Sequence, residues 1–265
     1  MSRLEDVFAR TAATGELALV AYLTAGYPTP AETVGLVAAA VDAGADVIEL
    51  GVPFSDPMGD GPALQASNTA AIAAGMTVGR ALEAVAEVRR AGIAVPIALR
   101  GFCNPFLHYG VERLLDDAVA AGVDAFVVPD LPANEADEWV EAAAARGLDL
   151  VFFTGPDSRP ERRAYSAARA SGFLHCLAPA AVTGTREDLD PRLLGYLSDA
   201  RKATDLPLAV DVEGSSPERL RALRGHADGV VVGSAIVSRI GEEQDSDARR
   251  SAVHTLVSEL KTACR

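Results

Sequence analysis

The chain predicts an α/β fold closed as a (β/α)8 barrel with one extra N-terminal helix. Three observations carry this. Short apolar, β-rich runs recur near 18–23, 46–50, 95–100, 123–128, 149–153, 172–177, 206–211 and 228–232, with helical segments between them. One joint is repeated: Ala43-Gly44-Ala45-Asp46 leads into VIEL, Ala121-Gly122-Val123-Asp124 into AFVVPD, Arg146-Gly147-Leu148-Asp149 into LVFF, and Ala227-Asp228-Gly229 into VVVG. Each is a helix that stops at or beside a Gly and feeds a strand, the signature of βα units on a parallel sheet. The 265 residues also match the roughly 250 that such a barrel needs. A doubly wound open sheet is disfavoured, because no Gly-rich dinucleotide fingerprint follows the first strand.

Taken in order, Ser2-Arg3-Leu4-Glu5 is a capping box, and Leu4, Val7 and Phe8 form the apolar stripe of a leading helix. Leu17 to Leu23 reads as the first buried strand. Thr29-Pro30-Ala31-Glu32 starts a helix with Pro at its first position, and that helix ends near Gly44. Further helices are expected over Thr77 to Ala91, Gly110 to Ala121, Asn134 to Arg146 and Pro160 to Ala170. Ser158-Arg159-Pro160-Glu161 and Ser215-Ser216-Pro217-Glu218 supply two more helix starts. A last helix, Asp245 to Ala263, is expected to pack on the outside. No linker or low-complexity tract divides the chain, so residues 1–265 read as one domain.

Nearly half the residues are hydrophobic but few are aromatic, so the core is built of Ala, Val and Leu. The net charge of −13 argues against nucleic acid or an anionic membrane as partner, though local donors still allow a small anionic substrate. Cys103, Cys176 and Cys264 show no CxxC pairing and read as reduced thiols; with His175 they also lack metal-ligand spacing. The N-terminus is acidic and amphipathic, not a signal peptide, and no apolar run reaches membrane-spanning length. A cytoplasmic location is expected.

The stretch DVIELGVPFSDPMGDGP carries the chemistry. Glu49 interrupts an apolar strand at its end, where a barrel of this kind places catalytic groups. It is either a wet-end salt-bridge partner or a general acid or base. Asp56, beside Pro57, reads as turn chemistry. Asp60, before Gly61-Pro62, either caps the next helix or joins Glu49 in a two-carboxylate site. A phosphate-binding theme follows: Val182-Thr183-Gly184-Thr185 lies after the sixth strand, and Gly233-Ser234-Ala235-Ile236 after the eighth, opening a helix.

The segments AGADVIELGVPFSDPMGDGPALQASNTAAIAAGMT, NPFLHYG, VVPDLP, VTGTRE and VVGSAIV, spread from about Thr24 to Ile240, together resemble the tryptophan synthase α subunit family. The resemblance implies a TIM barrel lyase that cleaves indole-3-glycerol phosphate to indole and glyceraldehyde 3-phosphate without a cofactor or metal. It implies a pyridoxal-phosphate β subunit as partner in an α2β2 assembly, which takes up the indole. It assigns Glu49 as the catalytic acid–base residue that protonates the ring carbon bearing the glycerol chain, and Asp60 as the acceptor of the indole N–H. Gly184, Gly233 and Ser234 match backbone donors to the substrate phosphate. Tyr22 and Phe102 match positions lining the indole pocket, and Thr183 a residue of the loop closing over Asp60. Pro53-Phe54-Ser55-Asp56-Pro57 and Asn104-Pro105 resemble parts that contact the β subunit.

Several positions depart from that pattern. His175 stands where the family has a Tyr that orients the catalytic Glu; an imidazole also donates a hydrogen bond, and it titrates near neutral pH. Phe102 replaces a Tyr on the third strand. Arg100 replaces an apolar pocket residue: pointing inward it pairs with Glu49 and weakens it as an acid, pointing outward it is a surface cation. Pro179 stiffens the loop that must close. After the seventh strand the chain reads Asp211-Val212-Glu213-Gly214-Ser215 instead of a Gly-rich turn. A carboxylate about 4 Å from the phosphate costs on the order of 4 kcal/mol at an effective dielectric near 20. Either Glu213 turns away and Gly214 makes the close approach, or phosphate binding is impaired. The alternative to an active lyase is therefore a non-catalytic or altered-substrate paralogue that activates a β subunit or serves specialised indole metabolism.

Overall fold

A computed structural model describes residues 2–178, 189–212 and 216–265. Among them, eight parallel strands close into a barrel in sequence order: β1 (Ala18–Thr24), β2 (Val47–Gly51), β3 (Ile97–Arg100), β4 (Ala125–Val127), β5 (Asp149–Thr154), β6 (Leu174–Cys176), β7 (Leu208–Asp211) and β8 (Gly229–Val232). β1 pairs with both β2 and β8, which completes the ring. The (β/α)8 expectation holds, with each strand inside or within a residue of the predicted run. The predicted runs at 95–100 and 206–211 lose their first two residues. Each contains a Pro, which cannot donate to a ladder. The carbonyls of Pro96 and Pro207 still accept from Ile48 and Leu174.

Period-two alternation sorts the strand residues into two shells. Outward residues such as Leu19, Ala21, Ile48, Leu50, Ile97, Leu99, Phe126 and Phe152 pack under the surrounding helices. Inward residues near the strand starts are small: Ala18, Ala98, Ala125 and Ala209. That space admits the leading helix Arg3–Thr14, whose Leu4, Val7 and Phe8 are buried with them. The Ser2 capping box forms, and Phe8 meets Phe173 at 5.6 Å between ring centres. The N-terminal end of the barrel is thus plugged, and the inward residues of the strand ends, Tyr22, Glu49, Arg100, His175 and Asp211, are left to line the C-terminal mouth.

The helices start and stop near the predicted points, as in Val78–Arg90, Val111–Ala121 and Pro160–Arg169. The segment expected from Asn134 is shorter. Ala133–Glu135 forms a 3-10 turn, and the α-helix runs only over Asp137–Ala144. The last helix, Ser246–Cys264, is capped by Asp245 and packs against helices Thr33–Asp42 and Ser234–Glu242. Among the described residues, no helix is long and apolar enough to cross a membrane.

Candidate active site

Two consecutive inward positions of neighbouring strands create the centre of the mouth. Glu49 pairs in register with Tyr22 on one side and Ala98 on the other, and Arg100 lies one layer above Ala98 on the same face. Arg100 Nη1 donates to Glu49 Oε1 at 3.0 Å, and Nη2 donates to Asp60 Oδ1 at 3.2 Å. One guanidinium thus bridges both predicted catalytic acids, and the inward alternative for Arg100 is the one realised. It lies over the rings of Tyr22 at 5.4 Å and Phe153 at 5.9 Å.

Asp60 does not cap the helix that follows. That helix, Pro62–Ala73, has Gly61 at its cap with no side-chain bond. The Asp60 carboxylate is drawn inward instead, with Asn68 Nδ2 donating to Oδ2 at 3.3 Å and Gln65 fixing its backbone carbonyl. Asp56 accepts from the adjacent Ser55 hydroxyl, in keeping with its reading as a turn residue. Glu49 is fully buried, and its Oε2 has no hydrogen-bond partner.

The electrostatics follow from burial around one cation. Burial raises the Asp60 carboxyl above the ordinary carboxylate range, and Arg100 and Asn68 only partly counter it. Burial works against the Arg100 charge, yet Glu49, Tyr22 and Asp60 outweigh it and raise this group further. The Tyr22 phenol is pushed up to about 12 by burial, again partly offset by Arg100. Tyr22 reaches the mouth because Gly51 faces it; a Cβ there would lie 2.2 Å from the phenol oxygen.

A cleft of about 140 Å³ opens over this array, lined among the described residues by Tyr22, Asp60, Arg100, Asp211, Gly233 and Ser234, with Leu64 and Leu177 as apolar walls. Gly233 caps the helix Ser234–Glu242, whose N-terminal N–H groups and dipole favour an anion. A Cβ at Gly233 would press on the Tyr22 side chain, 3.3 Å from its Cβ. Tyr22, Asp60, Gly233 and Ser234 therefore share one cleft, whereas Glu49 lies beneath it under Arg100.

Two expected site residues stand apart from the cleft. Phe102 is buried against Phe54, ring centres 5.4 Å apart, and is not part of the cleft wall. His175 makes no hydrogen bond to Glu49. Its ring stacks on Phe153 at 4.3 Å, and Nε2 lies 3.7 Å from Asp211 Oδ2. Thr183, Gly184 and Gly214, with Pro179 and Glu213, lie outside the described residues. Sequence reasoning passed over Asp211 as the start of a loop. The alternation in Leu208-Ala209-Val210-Asp211 was the available signal: Ala209 faces the barrel interior, so Asp211 does too.

Residues 8–265 match the family model described as tryptophan synthase alpha chain. The chain belongs to the tryptophan synthase alpha chain family. It is 40% identical over 263 residues to the tryptophan synthase alpha chain of Chloroflexus aurantiacus, covering 99% of this chain and 98% of that one. With the alpha chain of Geobacter sp. it shares 44% over 247 residues, 93% and 92% of the two chains. Among solved structures, tryptophan synthase from M. tuberculosis in an aminoacrylate-bound form superposes with a TM-score of 0.89 at 32% identity, covering 100% of both chains. The alpha subunit from Legionella pneumophila gives 0.91 at 31%, covering 100% of this chain and 98% of that one. Members of this family are carbon–carbon lyases, and this chain is an enzyme of that class.

Proposed function

We propose that this cleft carries out the retro-aldol cleavage of indole-3-glycerol phosphate to indole and glyceraldehyde 3-phosphate, as a tryptophan synthase α subunit. The observation that carries the reading is the pairing of Glu49 and Asp60 through one guanidinium at the barrel mouth, beside the N-terminus of Ser234–Glu242. The reaction needs a proton delivered to the ring carbon that bears the side chain. The ring then becomes an electrophilic iminium, which accepts the electrons of the breaking carbon–carbon bond. Asp60 is the anion for the indole N–H, where positive charge develops. Glu49 delivers the proton, and Oε2, free of partners, is the oxygen that carries it. Delivery requires Arg100 to draw back from Oε1, since the buried carboxylate is covered by that side chain. Gly233 and Ser234 receive the phosphate at the helix N-terminus.

The partner in this reading is a tryptophan synthase β subunit in an α2β2 assembly, in the cytoplasm. The exposed Met58, in the loop after β2, and the exposed Leu107, on the helix Cys103–Tyr109, offer apolar surface for it. The non-catalytic and altered-substrate alternatives carry less, because full-length relatives at about this identity bear the alpha-chain name.

Indole release from indole-3-glycerol phosphate by the purified protein, with and without a β subunit, tests the reading; no turnover in either arm overturns it. Glu49→Gln is expected to lower kcat by roughly 100-fold or more, the usual scale for a general acid. An active Glu49→Gln enzyme refutes its assigned role.

A further inference from the structure

Arg100 must leave both acids for the cleavage to proceed, and its charge then needs another partner. Glu49 gives up a proton, so it must first hold one, and a neutral carboxyl no longer balances the guanidinium on its Oε1. Asp60, which meets the indole N–H where positive charge develops, holds the second prong at 3.2 Å. Two unit positive charges about 5 Å apart cost on the order of 3 kcal/mol at an effective dielectric near 20. Yet a buried guanidinium left without any counter-ion is itself strongly destabilising.

Among the described residues, the remaining carboxylate in the cleft wall is Asp211, whose side chain is 35% exposed. Arg100 ends β3 and Asp211 ends β7, on opposite sides of the eight-stranded ring. The guanidinium already stands between two other opposite walls. Its carbon lies 5.4 Å from the Tyr22 ring on β1 and 5.9 Å from the Phe153 ring on β5. Asp211 is held ready for it. Its Oδ2 lies 3.7 Å from Nε2 of the fully buried His175, whose ring is stacked on Phe153 at 4.3 Å. Burial works to raise the Asp211 carboxyl, but His175 and Arg100 outweigh it and hold it below the ordinary range, so it stays an anion.

We propose that Arg100 and Asp211 form a latch: at rest the guanidinium covers Glu49, and with substrate bound it crosses to Asp211 and frees both acids. The proposal rests on the retro-aldol reading above and keeps Glu49 and Asp60 in the roles given there. Asp211 is a positioning residue, acting on the chemistry only by holding Arg100 away from it. The exchange keeps every charge matched. Glu49 is neutral once it carries its proton, Asp60 is left for the ring cation, and Arg100 has Asp211. The same move prepares the phosphate site. Asp211 shares the cleft with Gly233 and Ser234, where an unpaired carboxylate would repel the incoming phosphate. Pairing it with Arg100 offsets that repulsion.

Two measurements on the full chain test the latch. The first is steady-state indole release by wild type, Asp211→Asn, Arg100→Leu and the double variant, with thermal melts to establish folding. Asp211→Asn is expected to lower kcat about tenfold, because Arg100 then stays on Glu49, and to lower it less than about threefold once Arg100→Leu is present. The second is the crystal structure of Glu49→Gln, an isostere of the protonated acid, with indole-3-glycerol phosphate bound. There the Arg100 guanidinium is expected within hydrogen-bond distance of Asp211. A folded Asp211→Asn enzyme with wild-type kcat, or the same tenfold loss in both backgrounds, overturns the latch while leaving the lyase reading intact. So does a guanidinium still on residue 49 or Asp60 in the substrate complex. An inactive wild type overturns both, and where a kinetic variant does not fold, the crystal structure decides.

Discussion

Arg100 concentrates the residue-scale physics of the mouth. It is a buried cation holding two carboxylates and flanked by two aromatic rings. Breaking such a buried pair strands the remaining charge, so its removal acts on both acids together. The sign for Asp60 is clear. Its carboxyl already sits above the ordinary range through burial, and Arg100 is the largest influence holding it down. Arg100→Leu therefore raises it further. If ionised Asp60 is needed to meet the indole N–H, the acid limb of kcat/KM moves to higher pH in Arg100→Leu. A pH–rate profile of the two enzymes checks this; an unmoved or lowered limb contradicts it. Arg100→Lys, which keeps one charge but loses the two-pronged fork, is expected to fall between them.

Elements place these residues through close fits between strands. Gly51 ends β2 and leaves room for the Tyr22 phenol from β1, where an added Cβ would sit 2.2 Å from the oxygen. The Tyr22 side chain is buried, packed with Leu64 and Val237 and covered by the Arg100 guanidinium, which restricts its movement. Gly51→Ala is thus expected to destabilise by about 1–3 kcal/mol, the range for overpacking, and to displace Tyr22 from the cleft. Gly195 is the control, since it lies inside the helix Pro191–Ala203 with nothing within 4 Å of an added Cβ. Gly195→Ala is expected to stabilise by roughly 0.5–1 kcal/mol through helix propensity. Urea unfolding midpoints decide both, and equal shifts of one sign refute the distinction.

At the scale of the whole molecule, the two ends of the chain are joined on Asp46. Its Oδ1 accepts from Arg10 at 2.9 Å, and its Oδ2 accepts from the Leu19 backbone and from Lys261 at 2.8 Å. The leading helix, β1 and the last helix thus share one buried carboxylate, and Leu17 N–H donates to the Cys264 carbonyl beside it. We propose on this basis that residues 1–265 form one domain. Lys261→Met removes the buried partner and is expected to cost on the order of 3 kcal/mol. Unfolding should remain a single transition, with fluorescence and circular dichroism coinciding. Two separated transitions in the wild type refute the single domain.

Most of the fold was legible because it depends on local periodicity. Apolar runs, Gly joints and the Ser2 capping box are short-range signals, and a barrel follows from their number and alternation. Glu49 and Asp60 were also legible, as acids in an apolar strand and in a polar loop. What the linear chain left open was direction: whether Arg100 points in or out, whether Asp60 caps a helix, and what His175 faces. Those choices turn on burial and on partners far apart in sequence, such as Arg100 with Glu49 and Asp60, and His175 with Asp211. The sequence by itself determined the barrel, its leading helix and the presence of two acids at its open end. Only the tertiary structure decided their company, because pairing β2 with β3 sets Arg100 one layer above Glu49 and the loop after β2 brings Asp60 to the same guanidinium, which makes one arginine the counter-ion of both acids.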